Sequence, residues 1–363
     1  MDRARAAPVA RRDPRAGYLD RTDRGDGDRL LSDSSTLTVL ATPILGSPLS
    51  RELVGRIEAV DGVRCARIAS DGRIHGDADD SAFDEAEVLL LGSVPASVLD
   101  HVVTRSSRLR WIHSAAAGVD RVTTPVVRER DLIVTNARGV FSRPIAEYVV
   151  MMALAISRRL PQLLELQRER TWQPLRGREL AELTVGIIGY GSIGVELARL
   201  LAPFGSRILA TRRHPERGAG DAANVELHGL DELDEVLSAS DLVVVAAPLT
   251  DETAGLIGAE QLALMREDGW LINIARGRLI DEIALRRALA SGWIGGAVLD
   301  VFGEEPLSPE SPLYDTPNLI ITPHTSWASN RVAERTVDLF IENLRAFRAN
   351  EPMRNMVDLE AGY

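Results

Sequence analysis

Two short stretches carry residue types that could do chemistry. The first is GYGSIG, residues 189–194, a G-x-G-x-x-G run with glycines at Gly189, Gly191 and Gly194. It follows an apolar stretch, LTVGII, and opens a helix-forming one, VELARLL, which is the context in which such a loop binds a dinucleotide. Gly189 would make the tight turn, Gly191 would let the backbone approach a pyrophosphate, and Gly194 would let helix and strand pack closely. Ser192 and Ile193 lie at the helix N-terminus, where amide donors and a partial positive charge suit the same anion. The second stretch is ILATRRH, residues 208–214. An Asp or Glu about 20 residues after the glycines usually holds the ribose hydroxyls of NAD. Here the place is taken by Thr211, Arg212 and Arg213. A carboxylate would repel a 2′-phosphate; Thr211 removes that repulsion, and two guanidinium forks offer charge-assisted contacts to it. The pair therefore favours NADP, with NAD as the alternative. The competing reading is two solvated surface arginines after a strand.

These loops need strands to hold them. A first set of short apolar runs, at 36–41, 87–92, 110–115 and 131–136, alternates with helical stretches. A second set follows at 183–189, 207–211, 242–248, 269–275, 295–301 and 319–323. Continuous apolar strands separated by helices predict parallel sheets covered on both faces, a doubly wound α/β arrangement. A long helix is expected from Pro144, a favourable first-turn proline, to about Leu166. A last helix, to about Ala349, carries Val332, Val337, Leu339, Phe340 and Leu344. It begins where the second set ends, so it is expected to cross back to the first domain.

Composition bounds the rest. The chain has 363 residues, 45% hydrophobic and 26% charged, the profile of a soluble globular protein of two domains. No apolar run approaches the roughly 20 residues of a membrane span. The net charge of −11 repels nucleic acid and anionic membrane, so an anionic ligand must be held by local cations. The single cysteine, Cys65, excludes an internal disulfide and fits the cytoplasm. There is no lysine, which rules out a Schiff-base or P-loop lysine. No His/Cys cluster has metal-ligand spacing, so no metal is expected. Residues 1–35 are rich in Arg, Asp and Gly without hydrophobic periodicity and read as a disordered tail.

Five segments in order, GIIGYGSIG (186–194), PLTDETAGLI (248–257), LINIARGRLIDE (271–282), AVLDVFGEEPL (297–307) and ITPHTSW (321–327), resemble the D-isomer-specific 2-hydroxyacid dehydrogenases. The resemblance runs from about Val39 to Ala349. It implies two Rossmann/flavodoxin-like domains with parallel sheets around a central cleft. Residues 36–142 would form the substrate domain, 143–324 the inserted NAD(P)-binding domain, and 325–363 would return to the substrate domain.

Reducing a 2-keto acid moves a hydride to the keto carbon while negative charge grows on the carbonyl oxygen. The site must anchor a carboxylate, polarise that oxygen and deliver a proton. An arginine suits the first two tasks, being always charged and forked. A histidine suits the third, and a carboxylate beside it favours the imidazolium and orients the ring. Arg276 follows the apolar strand INIA, where a strand-end cation points at the ligand crevice. The resemblance assigns Arg276 to the substrate, His324 to the proton donor and Glu305 to its acid partner; the neighbouring Glu304 matches the motif less well.

The resemblance further implies that the backbone amides of Ala116, Ala117 and Gly118 hold the substrate carboxylate. His113, just before that loop, would touch substrate or serve packing. Asp300 would hold the nicotinamide carboxamide, with a turn cap as its alternative use. Pro248 would line the adenine or ribose side, and Ile274 and Ala275 the cofactor site beside Arg276. The expected substrate is a small 2-keto acid of the glyoxylate or hydroxypyruvate kind, reduced to the D-2-hydroxy acid. A phosphoglycerate dehydrogenase is the alternative enzyme, and a cofactor-binding corepressor the alternative of another class. A homodimer is expected, with the segment from about Leu160 to Leu180, including Trp172, clasping the partner.

Overall fold

In the computed structural model, the described residues are 36–359 without 77, 120–121 and 219–223; the expected tail, 1–35, lies outside them. Contacts divide the chain into two compact units, one running to residue 138 and resuming at 333, the other spanning 139–332.

The first unit is built on β1 (Leu37–Ala41), β2 (Val63–Ile68), β3 (Ile74–His75), β4 (Ala86–Leu91), β5 (Trp111–Ser114) and β6 (Ile133–Asn136), in the spatial order β3-β2-β1-β4-β5-β6. Every pairing is parallel except β2 with β3. β1 and β4 are buried at every residue, as central strands covered on both faces must be. One face packs Leu40, Leu89, Ile112 and Val134 under α2 (Ser81–Glu85), α3 (Ala96–Arg105) and α4 (Pro125–Glu129), after the exposed-edged α1 (Arg51–Glu58) has joined β1 to β2. The other face packs Val39, Leu90 and Trp111 against Val337, Phe340, Leu344 and Phe347 of the final helix, Val332–Arg348. Its apolar positions at i, i+3, i+7 and i+10 make one stripe, which is why it docks there. Beyond it, residues 355–357 run beside β6: Asn136 N donates to Asn355 O and Val357 N to Val134 O.

The second unit holds β7 (Thr184–Ile188), β8 (Arg207–Thr211), β9 (Val225–His228), β10 (Leu242–Val245), β11 (Trp270–Asn273), β12 (Gly296–Leu299) and β13 (Leu319–Ile321). Their order is β13-β12-β11-β10-β7-β8-β9, parallel throughout. The order reverses between β7 and β10, the switch point at which open α/β sheets bind ligands. Val185, Ile187, Ile208, Val244 and Ile272 pack against α5 (Ser142–Ser157) and α7 (Ser192–Leu201). The opposite face packs against α8 (Leu233–Ala239), α9 (Ala259–Leu264) and α10 (Glu282–Ala290) through Leu237, Leu262 and Leu285. The final helix is α11.

Three expectations need correction. The long helix from Pro144 is two helices, α5 and α6 (Leu160–Arg168), because Arg159 takes a left-handed φ of 57° and Pro161 opens a new first turn. The boundaries expected after 142 and 324 fall after 138 and 332. Residues 139–142 lead into α5, and Trp327 packs on the second core, so both stretches belong to it. Strands β2, β3 and β9 were not foreseen. Arg64 and Arg67 interrupt β2, and Glu226 and His228 interrupt β9, so neither shows a continuous apolar run. Among the described residues no helix is long and apolar enough to cross a membrane.

Candidate active site

The glycine loop leaves β7 in a turn only glycine accepts easily. Gly189 has a φ of 98°, and a Cβ there would lie 2.6 Å from the backbone of Ala247. A Cβ on Gly194 would press on Gly189 O at 3.1 Å and on Ile187 and Tyr190 at 3.2 Å, so this glycine lets α7 lie on the sheet. A Cβ on Gly191 would meet nothing within 4 Å, leaving that backbone accessible from outside. No side chain caps α7, so Ser192 and Ile193 open a helix whose first amides are available to an anion. These residues fit a dinucleotide pyrophosphate.

At the end of β8, Thr211 is fully buried, and its hydroxyl accepts from Gly189 N at 3.2 Å. It therefore braces the glycine turn as well as removing a carboxylate from this position. Arg212 donates to Gly218 O at 2.9 Å, and Arg213 pairs with Glu252 at 2.8 Å. Pro248, exposed after β10, receives Thr253 Oγ1 on its carbonyl at 2.7 Å. Ile274 is 4% exposed and belongs to the core under α5 and α7. Ala275 is half-buried, its amide bonded to Asn273 Oδ1 at 3.1 Å.

Arg276, Glu305 and His324 follow β11, β12 and β13, three adjacent strands of the second sheet. Glu305 Oε2 lies 2.7 Å from His324 Nδ1, and Glu305 Oε1 accepts from Phe302 N at 3.0 Å. Burial raises the Glu305 carboxyl, but the hydrogen bonds from His324 and Phe302, with the charges of His324 and Arg276, outweigh it and hold the group below the usual carboxylate range. Glu304 is exposed and takes no such position. Arg276 is half-buried, its guanidinium donating to Ala275 O at 2.7 Å and its own carbonyl accepting from Asn273 Nδ2 at 2.9 Å. Gly277 follows because a Cβ there would lie 1.9 Å from the Phe302 carbonyl carbon: the Arg276 and Glu305 loops pass in contact.

His324 has a φ of 49°, a left-handed conformation uncommon for a residue with a Cβ. The clamp that holds it there centres on Asp300. The Asp300 carboxylate is fully buried and accepts from Thr322 Oγ1 at 2.6 Å, Thr325 N at 2.8 Å and Ser326 N at 2.9 Å, while its carbonyl accepts from His324 N at 2.8 Å. Since Thr322 gives its proton to the carboxylate, its oxygen accepts from Tyr148 at 2.6 Å. Burial first, and the charge of Asp300, push the Tyr148 phenol up to about 12 against the opposing bond from Thr322, which keeps it a donor. The turn-capping use of Asp300 is thus what the geometry displays. Thr322 and Tyr148 were not singled out from the sequence; nothing in a lone Thr or Tyr signals such a relay.

In the first unit Ala116 and Ala117 are exposed and Gly118 half-buried. Ala116 N is turned to Ser114 Oγ at 3.3 Å, and Asn136 Nδ2 fixes the Ala117 carbonyl at 2.8 Å. His113 serves packing: it is fully buried, its Nδ1 is 2.7 Å from Thr135 Oγ1, and its ring lies tilted against Phe340 at 5.6 Å between centroids. Among the described residues one cluster, His228, Glu232 and Glu235, has geometry a cation could use, though Glu232 already accepts from Gly229 N at 2.8 Å.

Residues 150–326 match the family model of the D-isomer specific 2-hydroxyacid dehydrogenase NAD binding domain. The chain is 34% identical over 278 residues to a glyoxylate reductase of Korarchaeum cryptofilum, covering 75% of this chain and 82% of that one. Its fold is similar to a D-isomer specific 2-hydroxyacid dehydrogenase from Xanthobacter autotrophicus solved with NADPH and MES, with a TM-score of 0.78, 31% identity and coverage of 90% and 100%. It is also similar to an NADPH-dependent glyoxylate/hydroxypyruvate reductase from Sinorhizobium meliloti solved with NADP and sulfate, with a TM-score of 0.73, 27% identity and the same coverage. With this sheet order, this glycine turn and these three strand-end residues, the chain belongs to the D-isomer-specific 2-hydroxyacid dehydrogenases, oxidoreductases that use a nicotinamide dinucleotide.

Proposed function

We propose that the protein reduces a small 2-keto acid, of the glyoxylate or hydroxypyruvate kind, to the D-2-hydroxy acid, with NADPH preferred over NADH. The observation that carries this reading is the 2.7 Å contact of Glu305 with His324. When bound, the dinucleotide supplies the hydride. His324 delivers the proton to the carbonyl oxygen from Nε2, because Nδ1 faces Glu305. Glu305 holds the ring in place through its Nδ1. Arg276 anchors the substrate carboxylate and draws charge onto the carbonyl oxygen. The amides of Ala116, Ala117 and Gly118 are proposed as substrate-binding donors of the first unit.

The glycine turn, the N-terminus of α7, Thr211, Pro248 and Ala275 would hold the dinucleotide, with Arg212 and Arg213 on the 2′-phosphate. Asp300 would reach the nicotinamide amide only through the lone pair its three donors leave open. A dehydrogenase solved with NADPH and a reductase solved with NADP among the similar structures support the cofactor reading. A homodimer is part of the proposal: α6 buries none of its residues and exposes Leu160, Leu163 and Leu164, with Trp172 fully exposed beyond it, a surface that a second copy would cover.

Initial rates of NADPH and of NADH oxidation with glyoxylate, hydroxypyruvate, pyruvate and phenylpyruvate test the reading. Faster turnover with NADPH, lost in an Arg212→Ala, Arg213→Ala double variant, supports it. Preference for NADH would return both arginines to the surface, and no turnover with any pair would overturn the substrate assignment.

A further inference from the structure

Arg213 and Glu252 stand on opposite sides of the glycine turn. Arg213 follows β8 and Glu252 lies in the turn after β10, and these are the two strands that flank β7. The strands are parallel, so both loops rise at the same edge of the sheet, the one where β7 gives way to Gly189. The loop after β10 lies directly against that turn, as the 2.6 Å approach of Ala247 to a Gly189 Cβ shows. A hydrogen bond from Thr253 Oγ1 to Pro248 O and one from Thr250 N to Thr253 Oγ1 shape the turn that carries Glu252. The carboxylate meets Arg213 Nη2 at 2.8 Å, with the two side chains 75% and 45% exposed.

We infer that Glu252 is a specificity-determining residue: it competes with the cofactor's 2′-phosphate for Arg213 and so sets how strongly the protein prefers NADPH. The inference rests on the proposed phosphate role of Arg213. The pair is solvated enough to open, and a phosphate dianion is a stronger partner for a guanidinium fork than a single exposed carboxylate. The phosphate therefore wins, but must first displace Glu252. A cofactor without the 2′-phosphate leaves the pair intact and does not bear this cost. Arg212, tied to the carbonyl of Gly218 instead of a carboxylate, faces no such competition.

Calorimetric titration of the full chain with 2′,5′-ADP and with 5′-AMP isolates this end of the cofactor without any turnover. Glu252→Gln should tighten 2′,5′-ADP about two- to five-fold, which is ~0.4–1 kcal/mol, the range of an exposed ion pair, and leave 5′-AMP unchanged. In an Arg213→Ala background the same substitution should have no effect. Tightening that persists without Arg213 would mean simple repulsion between Glu252 and the phosphate, and would overturn the competition. Weaker binding in Glu252→Gln would make Glu252 an orienting partner of Arg213, again overturning it. If Arg213→Ala leaves 2′,5′-ADP binding intact, the phosphate role of Arg213 itself fails, a result distinct from the other two.

Discussion

Glu305 Oε2 and His324 Nδ1 lie 2.7 Å apart, although 19 positions separate them in the chain. The contact decides which ring nitrogen faces the carboxylate, so on the proposed reading Nε2 is the one that meets the substrate. In Glu305→Gln the amide keeps the shape but not the charge beside the ring. Turnover with a 2-keto acid should fall about ten-fold or more, while the affinity for NADPH holds. Initial rates beside a direct NADPH titration check this; unchanged turnover would mean that the contact does not govern the proton step.

Asp300 anchors the turn that presents His324. Replacing it by Asn puts an NH2 group or a poorer acceptor against donors that now meet a carboxylate, those of Thr322, Thr325 and Ser326. Leaving one such buried donor unsatisfied costs ~1–3 kcal/mol. Asp300→Asn should lower both Tm and kcat, whereas Tyr148→Phe, which removes only the outer member of the relay, should lower Tm slightly and keep most of the activity. Equal effects of the two would contradict a relay centred on the carboxylate.

Much of this site was legible in the sequence because its parts are local. The glycine run, the strand before it and the helix after it are one continuous segment, and Arg276 and His324 each end an apolar strand. What escaped was set by partners far along the chain. Thr211 braces Gly189 across 22 positions, and Glu252 reaches Arg213 across 39. The break between α5 and α6 follows from the left-handed Arg159, a conformation that no propensity of arginine foretells. Strands β2 and β9 carry charged residues that an edge or near-edge position tolerates and a central strand would not.

Asn136 fixes the loop that holds Ala117. Its amide donates to Ala117 O at 2.8 Å, its Oδ1 accepts from Arg138 N at 3.1 Å, and Asn355 in turn donates to the carbonyls of Asn136 and Arg138. If the 116–118 amides bind substrate, Asn136→Ala should raise KM for the keto acid several-fold while kcat and the affinity for NADPH hold. Side-chain truncation that merely loosened the fold would lower Tm and affect both ligands. Titration with a nonreactive 2-oxo acid analogue and with NADPH separates the two.

His113 makes the first unit sensitive to acid. Burial pushes its imidazole down to about 3, and Nδ1 is engaged by Thr135, whose oxygen also receives the Trp111 indole N–H at 2.9 Å. In the unfolded chain the same ring takes a proton near pH 6.5. The unfolded state thus binds more protons between those two values, so the contribution of His113 is full above pH 6.5 and declines as the pH falls towards 3. By pH 5 the loss approaches ~2 kcal/mol, at up to 1.36 kcal/mol per pH unit for one proton. His113→Leu removes the titrating group at the expense of the bond to Thr135, so it should start less stable at pH 7.5 but lose less on acidification. Urea unfolding at pH 7.5, 6 and 5 compares the slopes rather than the absolute values. Parallel slopes for the two proteins would show that His113 is protonated without cost in the folded state, and the acid sensitivity would then belong to other groups.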